Sequence, residues 1–167
     1  MSRASGIIII YHSDTGGTLQ MVRAAEQGAR DAEADLSVRV VHASEVPAAL
    51  VLESDAYLFA TPENLAAMSG VMKQFFDRTY YALLDRIEAR PYATLVCAGS
   101  DGSNAARQID RIATGWRLKA IAPALIVCTH AQTPEAILSP KHIGVHDLAR
   151  CRELGATLAS GLMMGVF

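Results

Sequence analysis

Three hydroxyl side chains and two glycines stand together at residues 13–18, in the order Ser-Asp-Thr-Gly-Gly-Thr. An apolar run precedes them and an amphipathic pattern follows, as expected where a strand passes into a helix. The free N–H groups and the positive dipole end of a helix N-terminus attract anions, and phosphate suits such a site. Because the segment holds no lysine or arginine, we expect neutral donors and the helix dipole to hold the anion. A hydroxyl-rich turn without a ligand is the alternative interpretation.

Two further segments of unusual composition follow apolar runs. Residues 61–70 read Thr-Pro-Glu-Asn-Leu-Ala-Ala-Met-Ser-Gly, and residues 97–103 read Cys-Ala-Gly-Ser-Asp-Gly-Ser. The small residues of the later segment would let a flat ligand approach the backbone closely. Alone, the later segment also fits an ordinary turn at Asp101-Gly102. All three segments would meet at one crevice if the strands before them were neighbours in a parallel sheet.

Apolar runs and helical patterns alternate five times along the chain. Strands are predicted over residues 6–11, 36–41, 55–60, 92–98 and 121–129. The third should end at Thr61-Pro62, because proline cannot donate to a strand ladder. Helices are expected over residues 18–32 and from about residue 145, and others begin at caps provided by Ser44, Ser69 and Ser103. This pattern predicts a three-layer α/β fold, with a five-stranded parallel sheet in the order 2-1-3-4-5 and helices on both faces.

Composition limits the kinds of protein that the chain can be. It has 167 residues, of which 51% are hydrophobic and 19% charged, with a net charge of −2. We expect a single domain over residues 1–167, no nucleic-acid partner and, with no apolar run near the ~20 residues needed, no membrane span. No signal peptide is recognised. Three widely spaced cysteines indicate free thiols, no metal site and a cytoplasmic location.

The segment at residues 13–18 resembles the FMN-phosphate loop of flavodoxin-like proteins, written [ST]-x-T-G-x-T. It matches every fixed position of that motif and follows the first strand, as the motif does. The resemblance implies the same three-layer fold and FMN as the cofactor. The residues that it assigns to the phosphate are Ser13, Thr15, Gly16, Gly17 and Thr18.

The second segment, Thr-Pro-Glu-Asn followed by Met-Ser-Gly-x-Met-Lys-x-Phe-Phe-Asp, resembles two groups of flavodoxin-like enzymes. These are the NADPH-dependent FMN reductases and the NAD(P)H:quinone oxidoreductases of the Trp-repressor-binding-protein type. By analogy, the second segment contacts the isoalloxazine ring, and the third borders the ribityl chain and the pyrimidine edge. The cofactor-binding residues implied in these two segments are Thr61, Pro62, Glu63, Asn64, Leu65, Gly99, Ser100, Asp101 and Gly102.

One departure from carrier flavodoxins favours an enzyme. Carriers usually place a Trp or Tyr against the flavin from the second and third segments, whereas this chain has Leu65 and Met68 in one and no aromatic residue in the other. The resemblance therefore implies an NAD(P)H-dependent oxidoreductase that passes electrons through FMN to a quinone, a flavin or a similar acceptor, with no catalytic side chain. The near-neutral charge also favours an enzyme, because carriers tend to be strongly acidic. The alternative is a flavodoxin-type electron carrier.

Three remaining features receive structural interpretations. His12 and Cys97 lie at strand ends near the expected site, and we interpret them as a hydrogen-bonded structural histidine and a small buried thiol. Residues 161–167 are apolar and should pack on the sheet edge or on another subunit, so we expect a homo-oligomer, either a dimer or a tetramer. A signalling receiver domain shares the strand order but requires an acidic residue at the end of the third strand, where this chain has Ala-Thr-Pro.

Overall fold

The computed structural model describes residues 6–167 of the chain. Seven strands and six α-helices lie within that range. In chain order they are β1 (Gly6–Tyr11), α1 (Gly17–Ala32), β2 (Ser37–His42), α2 (Ala48–Glu53), β3 (Ala56–Asn64), β4 (Ala67–Met68), α3 (Gly70–Leu83), β5 (Pro91–Ala98), α4 (Ser103–Gly115), β6 (Lys119–Ala120), β7 (Leu125–Cys128), α5 (Pro134–Leu138) and α6 (Val145–Met164).

The sheet has the predicted order, with two more strands than expected. β2, β1, β3 and β5 are parallel neighbours, and both β6 and β7 pair with β5 in the same direction. Of the fifth predicted strand, only Leu125–Cys128 pair with β5, as β7, and the short strand β6 precedes the predicted range. The remaining addition is β4, which pairs antiparallel with the end of β3. The three-layer α/β fold class is confirmed.

Four consecutive isoleucines in β1 explain why the sheet is covered on both faces. Ile7 and Ile9 pack into one core layer with side chains of α1 and α6, and Ile8 and Ile10 pack into the other with side chains of α3 and α4. All four are buried, so side chains that alternate along the strand fill both layers. Trp116 lies in the second layer among the rings of α3, as a packing residue.

The two helices of the first layer touch through their backbones. A Cβ atom added at Gly28 of α1 would stand 1.9 Å from the carbonyl oxygen of Arg152, and one added at Gly155 of α6 would stand 2.0 Å from that of Ala25. No side chain fits between helices at that distance, so the two glycines interlock α1 with α6.

The expectation that the third strand ends at Thr61-Pro62 is wrong. β3 continues to Asn64, and Pro62 is in register with Cys97 of β5. The carbonyl of Ala60 accepts from the N–H of His12, so the backbone groups of Ala60 face β1. Since these groups alternate along a strand, the nitrogen of Pro62 faces the same side, where β1 has already ended. The missing N–H therefore costs no ladder bond.

Two of the three predicted helix caps are also wrong. Ser69 does cap α3, because its Oγ accepts from the N–H of Met72 at 3.2 Å. The cap of α4 is instead Gly102, at a φ of +82°, and Ser103 is the first helical residue. A 3₁₀ turn over Ala43–Glu45 takes the place of the helix expected after Ser44, and α2 begins at Ala48.

Within residues 6–167, no helix has both the length and the apolar composition needed to cross a bilayer. The same part of the chain contains no group of three or more His, Cys, Asp or Glu side chains placed to hold a metal ion.

Candidate functional site

A cleft of about 820 Å³ opens at the carboxyl ends of β1, β3 and β5. The three segments selected from the sequence all contribute to it, as expected for neighbouring parallel strands. Of the residues predicted to bind a cofactor, those that line the cleft are Ser13, Thr15, Gly17, Thr18, Pro62, Glu63, Asn64, Leu65, Gly99 and Ser100.

The other four predicted residues lie behind this lining and hold its loops in shape. Gly16 is the N-cap of α1 at a φ of +90°. Thr61 is buried, and its Oγ1 accepts from the N–H of Ser69 at 3.0 Å. The carboxylate of Asp101 accepts from the N–H and hydroxyl of Ser103, and the N–H of Gly102 donates to Glu63 at 2.6 Å.

The first turn of α1 presents unused hydrogen-bonding groups to the cleft. The buried Oγ1 of Thr18 has no partner among residues 6–167, and neither do the backbone N–H groups of Gly17 and Thr18. The N–H of Leu19 is already satisfied, because it donates to Ser13 Oγ at 3.2 Å. A helix N-terminus with unpaired donors fits a phosphate group.

Glycine is required at position 17 by close packing. A Cβ atom there would lie 2.6 Å from the Cys97 sulfur and 3.3 Å from the Cβ of Lys141. The end of β5 and a segment from much later in the chain therefore both press on the start of α1.

The hairpin of β3 and β4 forms one wall of the cleft and ends in a strained turn. Leu65 and Ala66 form its two-residue loop, and both have positive φ angles, of 50° and 63°. Left-handed backbone costs non-glycine residues roughly 1–2 kcal/mol each. The side chain of Leu65 is also fully exposed, at the mouth of the cleft. A strained turn that holds an apolar side chain out in solvent is typical of a ligand-contacting element.

Hydrogen bonds to the third segment and to α4 fix this hairpin. Besides the bond from Gly102 to Glu63, the amide of Asn104 donates to the carbonyl of Ala66 at 2.6 Å, and the N–H of Met68 donates to Gln108 Oε1 at 2.9 Å. The hairpin is therefore a braced wall rather than a free loop.

Asp14 joins the phosphate loop to the same hairpin and pairs with His12. The Nε2 of His12 lies 3.2 Å from Asp14 Oδ1, and the other carboxylate oxygen of Asp14 accepts from the amide of Asn64 at 2.8 Å. Burial lowers the pKa of His12, although the nearby Asp14 carboxylate opposes that shift. His12 does not line the cleft, so the geometry supports its interpretation as a structural residue.

Cys97 lines the cleft as an unreactive thiol. It is buried, and burial raises its pKa to about 11, although the positive charge of Lys141 opposes the shift. A thiol with that pKa is protonated at neutral pH and is a poor nucleophile. The structure supports the interpretation of a small buried side chain.

Six cleft residues were not expected from the sequence, and all follow β7. They are Thr129, Ala131, Gln132, Ile137, Leu138 and Lys141. The short helix α5 lies within this part of the chain and carries two of them, Ile137 and Leu138. Lys141 Nζ lies 3.1 Å from Thr15 Oγ1, so a cation lies beside the phosphate loop although the loop's own sequence contains none. A lone lysine in an aperiodic stretch gives no signal by which sequence reasoning could place it there.

A protein-family model described as NADPH-dependent FMN reductase matches residues 46–132, just over half of the chain. Among curated proteins, the chain is 31% identical over 104 residues to an NAD(P)H dehydrogenase (quinone) of Archaeoglobus fulgidus, matching 48% of this chain. It is 32% identical over 94 residues to a flavodoxin of Aquifex aeolicus, matching 56% of this chain. The chain spans about half the length of these relatives, 54% and 48% respectively.

Solved structures show the same fold at low sequence identity. A flavodoxin from the domain Archaea superposes with a TM-score of 0.78 at 19% identity, covering 95% of this chain and 99% of that one. A WrbA-like flavodoxin from Agrobacterium tumefaciens gives 0.74 at 19% identity, covering 96% and 99%. The chain therefore belongs to the NADPH-dependent FMN reductase family and has the flavodoxin-like fold, and membership implies FMN as cofactor.

Proposed function

We propose that this protein is an FMN-dependent oxidoreductase that takes electrons from NAD(P)H and passes them to a small, largely apolar acceptor such as a quinone or a free flavin. The observation that supports the proposal is that one cleft has a hydrogen-bonding end and an apolar end. One end has the unpaired donors of the first turn of α1, and the other has the exposed side chain of Leu65 on a strained, braced turn.

The donor end suits the 5′-phosphate of FMN. Ser13, Thr15 and Thr18 bring hydroxyls to the cleft, and Gly17 and Thr18 bring N–H groups that no described residue uses. The absence of competing partners matters, because a buried donor that gains a hydrogen bond recovers the cost of its desolvation. We assign these four residues to the phosphate.

The apolar end suits a planar ring with one accessible face. Leu65 on the hairpin and Ile137 and Leu138 on α5 are exposed apolar side chains that line the same cleft. No Trp, Tyr or Phe is among the lining residues of the described chain. With no aromatic side chain to cover the ring, a nicotinamide or a quinone has room to stack on it. We assign Pro62, Glu63, Asn64 and Leu65 to the ring.

The chain's own contribution is to bind and orient, without acid–base chemistry. Bound FMN supplies the redox chemistry, which is acceptance of a hydride and delivery of electrons to an acceptor. His12 is paired with Asp14 outside the lining, and the thiol of Cys97 is protonated at neutral pH. His12 therefore does not face the cleft, and a thiol with a pKa of about 11 is a poor proton donor and acceptor at neutral pH. The braced hairpin holds its backbone fixed beside the ring, which favours a reproducible stacking geometry.

The alternative function, an electron carrier, differs in how it is reduced. The flavodoxin of Aquifex aeolicus is one of the relatives and keeps this possibility open. A carrier receives electrons from a partner protein, whereas the proposed enzyme is reduced directly by a nicotinamide nucleotide. The two therefore separate in a single mixing experiment.

The test begins with the protein stripped of flavin and titrated with FMN. The FMN-loaded protein is then mixed anaerobically with NADH or NADPH while the flavin absorbance is followed, and a soluble quinone is added afterwards. We expect bleaching by at least one nucleotide and recovery of the absorbance on adding the quinone. Loaded protein that neither nucleotide bleaches would be a carrier, and protein that binds no FMN would overturn the proposal altogether.

A further inference from the structure

We propose that Lys141 provides the counter-charge for the 5′-phosphate and thereby makes the cleft select FMN over riboflavin. This inference rests on the proposed function, because it concerns how the same cleft recognises its cofactor. The phosphate loop itself contains no cation, so the charge has to come from elsewhere in the fold.

The backbone around Lys141 is fastened to the phosphate loop. Its N–H donates to the carbonyl of Thr15 at 2.9 Å, and its carbonyl accepts from the Gln20 amide at 2.8 Å. That amide also donates to the carbonyl of Gly16 at 3.0 Å, and Gln20 Oε1 accepts from the N–H of Ile143 at 3.0 Å. One glutamine on the first turn of α1 thus clamps the late segment across the loop.

The ammonium group of Lys141 is hydrogen-bonded without being neutralised. It donates to Thr15 Oγ1 at 3.1 Å and to the carbonyls of Ile137 and Ser139 at 2.7 and 2.6 Å. These three oxygens are uncharged. Among residues 6–167, no carboxylate oxygen lies within 4 Å of this nitrogen, and the carboxylate of Asp14 is engaged by His12 and Asn64.

The position of the cation is unfavourable unless an anion joins it. The stem of Lys141 lies over Gly17, where an added Cβ would be 3.3 Å from the lysine Cβ. This is the N-terminus of α1, where the helix dipole presents its positive end and repels a cation. A half-buried ammonium and a helix N-terminus pointing into one cleft both favour a dianion there.

A second observation independently points to a ligand at the same place. Thr18 is almost completely buried, and its unpartnered hydroxyl belongs to a residue that lines the cleft. A buried hydroxyl without a partner is costly, and a phosphate oxygen would satisfy it. The cation, the orphan hydroxyl and the free N–H groups therefore converge on a single phosphate.

The affinities for FMN and for riboflavin separate a charge role from a structural one. We would compare the wild type with Lys141→Gln and Lys141→Arg, and use Lys73→Gln as a control, because Lys73 pairs with Asp77 on the exposed side of α3. Lys141→Gln removes the counter-charge, so it should weaken FMN binding about 10- to 100-fold and leave riboflavin binding unchanged. Lys141→Arg should retain most of the FMN affinity, and Lys73→Gln all of it.

Inorganic phosphate provides a readout that does not need the flavin. Phosphate should raise the melting temperature of the flavin-free wild type more than that of Lys141→Gln, and added salt should weaken FMN binding more in the wild type. Equal stabilisation of both proteins by phosphate, or a loss of riboflavin affinity as large as that of FMN affinity, would overturn the inference. A wild type that responds to phosphate but binds no FMN would instead refute the proposed function.

Discussion

The hydroxyl of Thr18 lowers the stability of the flavin-free protein, and we expect it to strengthen the binding of FMN. Burying a hydroxyl without a partner is unfavourable by about 1–3 kcal/mol. Its Oγ1 is in that situation within the described chain, at the first turn of α1. Stability and cofactor affinity should therefore respond in opposite directions when this atom is removed.

We predict that Thr18→Val raises the stability of the flavin-free protein by about 1 kcal/mol and weakens FMN binding about tenfold. Valine keeps the shape of threonine and removes only the hydrogen-bonding group. Chemical denaturation and flavin titration measure the two effects. Thr79→Val is the matched control, because Thr79 is also a buried helical threonine, but its Oγ1 donates to the carbonyl of Phe75 at 2.8 Å. FMN affinity unaffected by Thr18→Val would place the phosphate elsewhere.

Cys97 should resist alkylation despite lining the cleft. With a pKa of about 11, roughly one thiol in a thousand is ionised at pH 8, so iodoacetamide should label it very slowly. Labelling should accelerate as the pH approaches 11, and peptide mapping can follow it with the half-exposed Cys128 as an internal reference. Since the pKa is raised above the ordinary value of 9.0, the stability linked to this thiol is complete below pH 9 and declines towards pH 11. Rapid labelling at pH 8 would contradict the buried, protonated thiol.

At the scale of single residues, the sequence predicted the contacts between neighbouring residues and missed the long-range contact of Lys141. Ser13, Thr15, Gly17 and Thr18 are nearly contiguous, and a strand-to-helix junction has only one usual geometry. Lys141 reaches the same loop from 126 positions away, through hydrogen bonds that no periodicity encodes. Its location depends on how the whole first layer packs, which a pattern of residue types does not determine.

Among the elements, the hairpin of β3 and β4 shows where pattern reasoning stops. The five β–α units were predictable because their apolar runs and amphipathic helices repeat clearly. The hairpin was not, because its turn residues are Leu65 and Ala66 and two-residue turns of this kind normally carry Asn or Gly. Its conformation is imposed by hydrogen bonds to residues 102, 104 and 108, which lie 38 to 40 positions later in the chain than their partners.

The brace on that hairpin can be tested by hydrogen exchange. Gln108→Ala removes the acceptor of the Met68 N–H, which is bonded at 2.9 Å, and leaves the other two braces in place. We expect the Met68 amide to exchange at least several-fold faster while the amides of β1 and β5 keep their protection. Gln27→Ala is the control, because within residues 6–167 the Gln27 side chain bonds only to Asp31, on the surface of α1. Unchanged exchange at Met68 would show that the hairpin holds its shape without this contact.

For the molecule as a whole, the apolar end of α6 bears on the expected oligomer. The sequence predicted that residues 161–167 pack on the sheet edge or on a second subunit. Part of this segment folds back, because the ring of Phe167 lies where a Cβ of Gly161 would be, 2.1 Å from its Cε2. Met164 and Val166 remain exposed. Uncovered apolar side chains of this kind favour association with a second subunit.

We therefore predict a homo-oligomer whose interface includes the end of α6. Sedimentation velocity over a range of concentrations should show a species larger than the 17.9 kDa chain. The double variant Met164→Glu and Val166→Glu should move the population towards the monomer, because charge at an apolar interface must be desolvated. Tyr81→Glu is the control, since Tyr81 is exposed on α3. A wild type that sediments as a monomer at every concentration would contradict the prediction.

The close contact between α1 and α6 at Gly28 and Gly155 also affects when the chain can fold during synthesis. α6 is synthesised after α1, and more than a hundred residues separate the end of α1 from the start of α6. At 5–20 residues per second, a ribosome needs roughly 5–20 s to supply that partner. During this interval the face of α1 that packs on α6 is uncovered on the nascent chain, where a chaperone can bind it. Lys141 emerges just before α6, so we expect FMN to load only after translation has passed these residues.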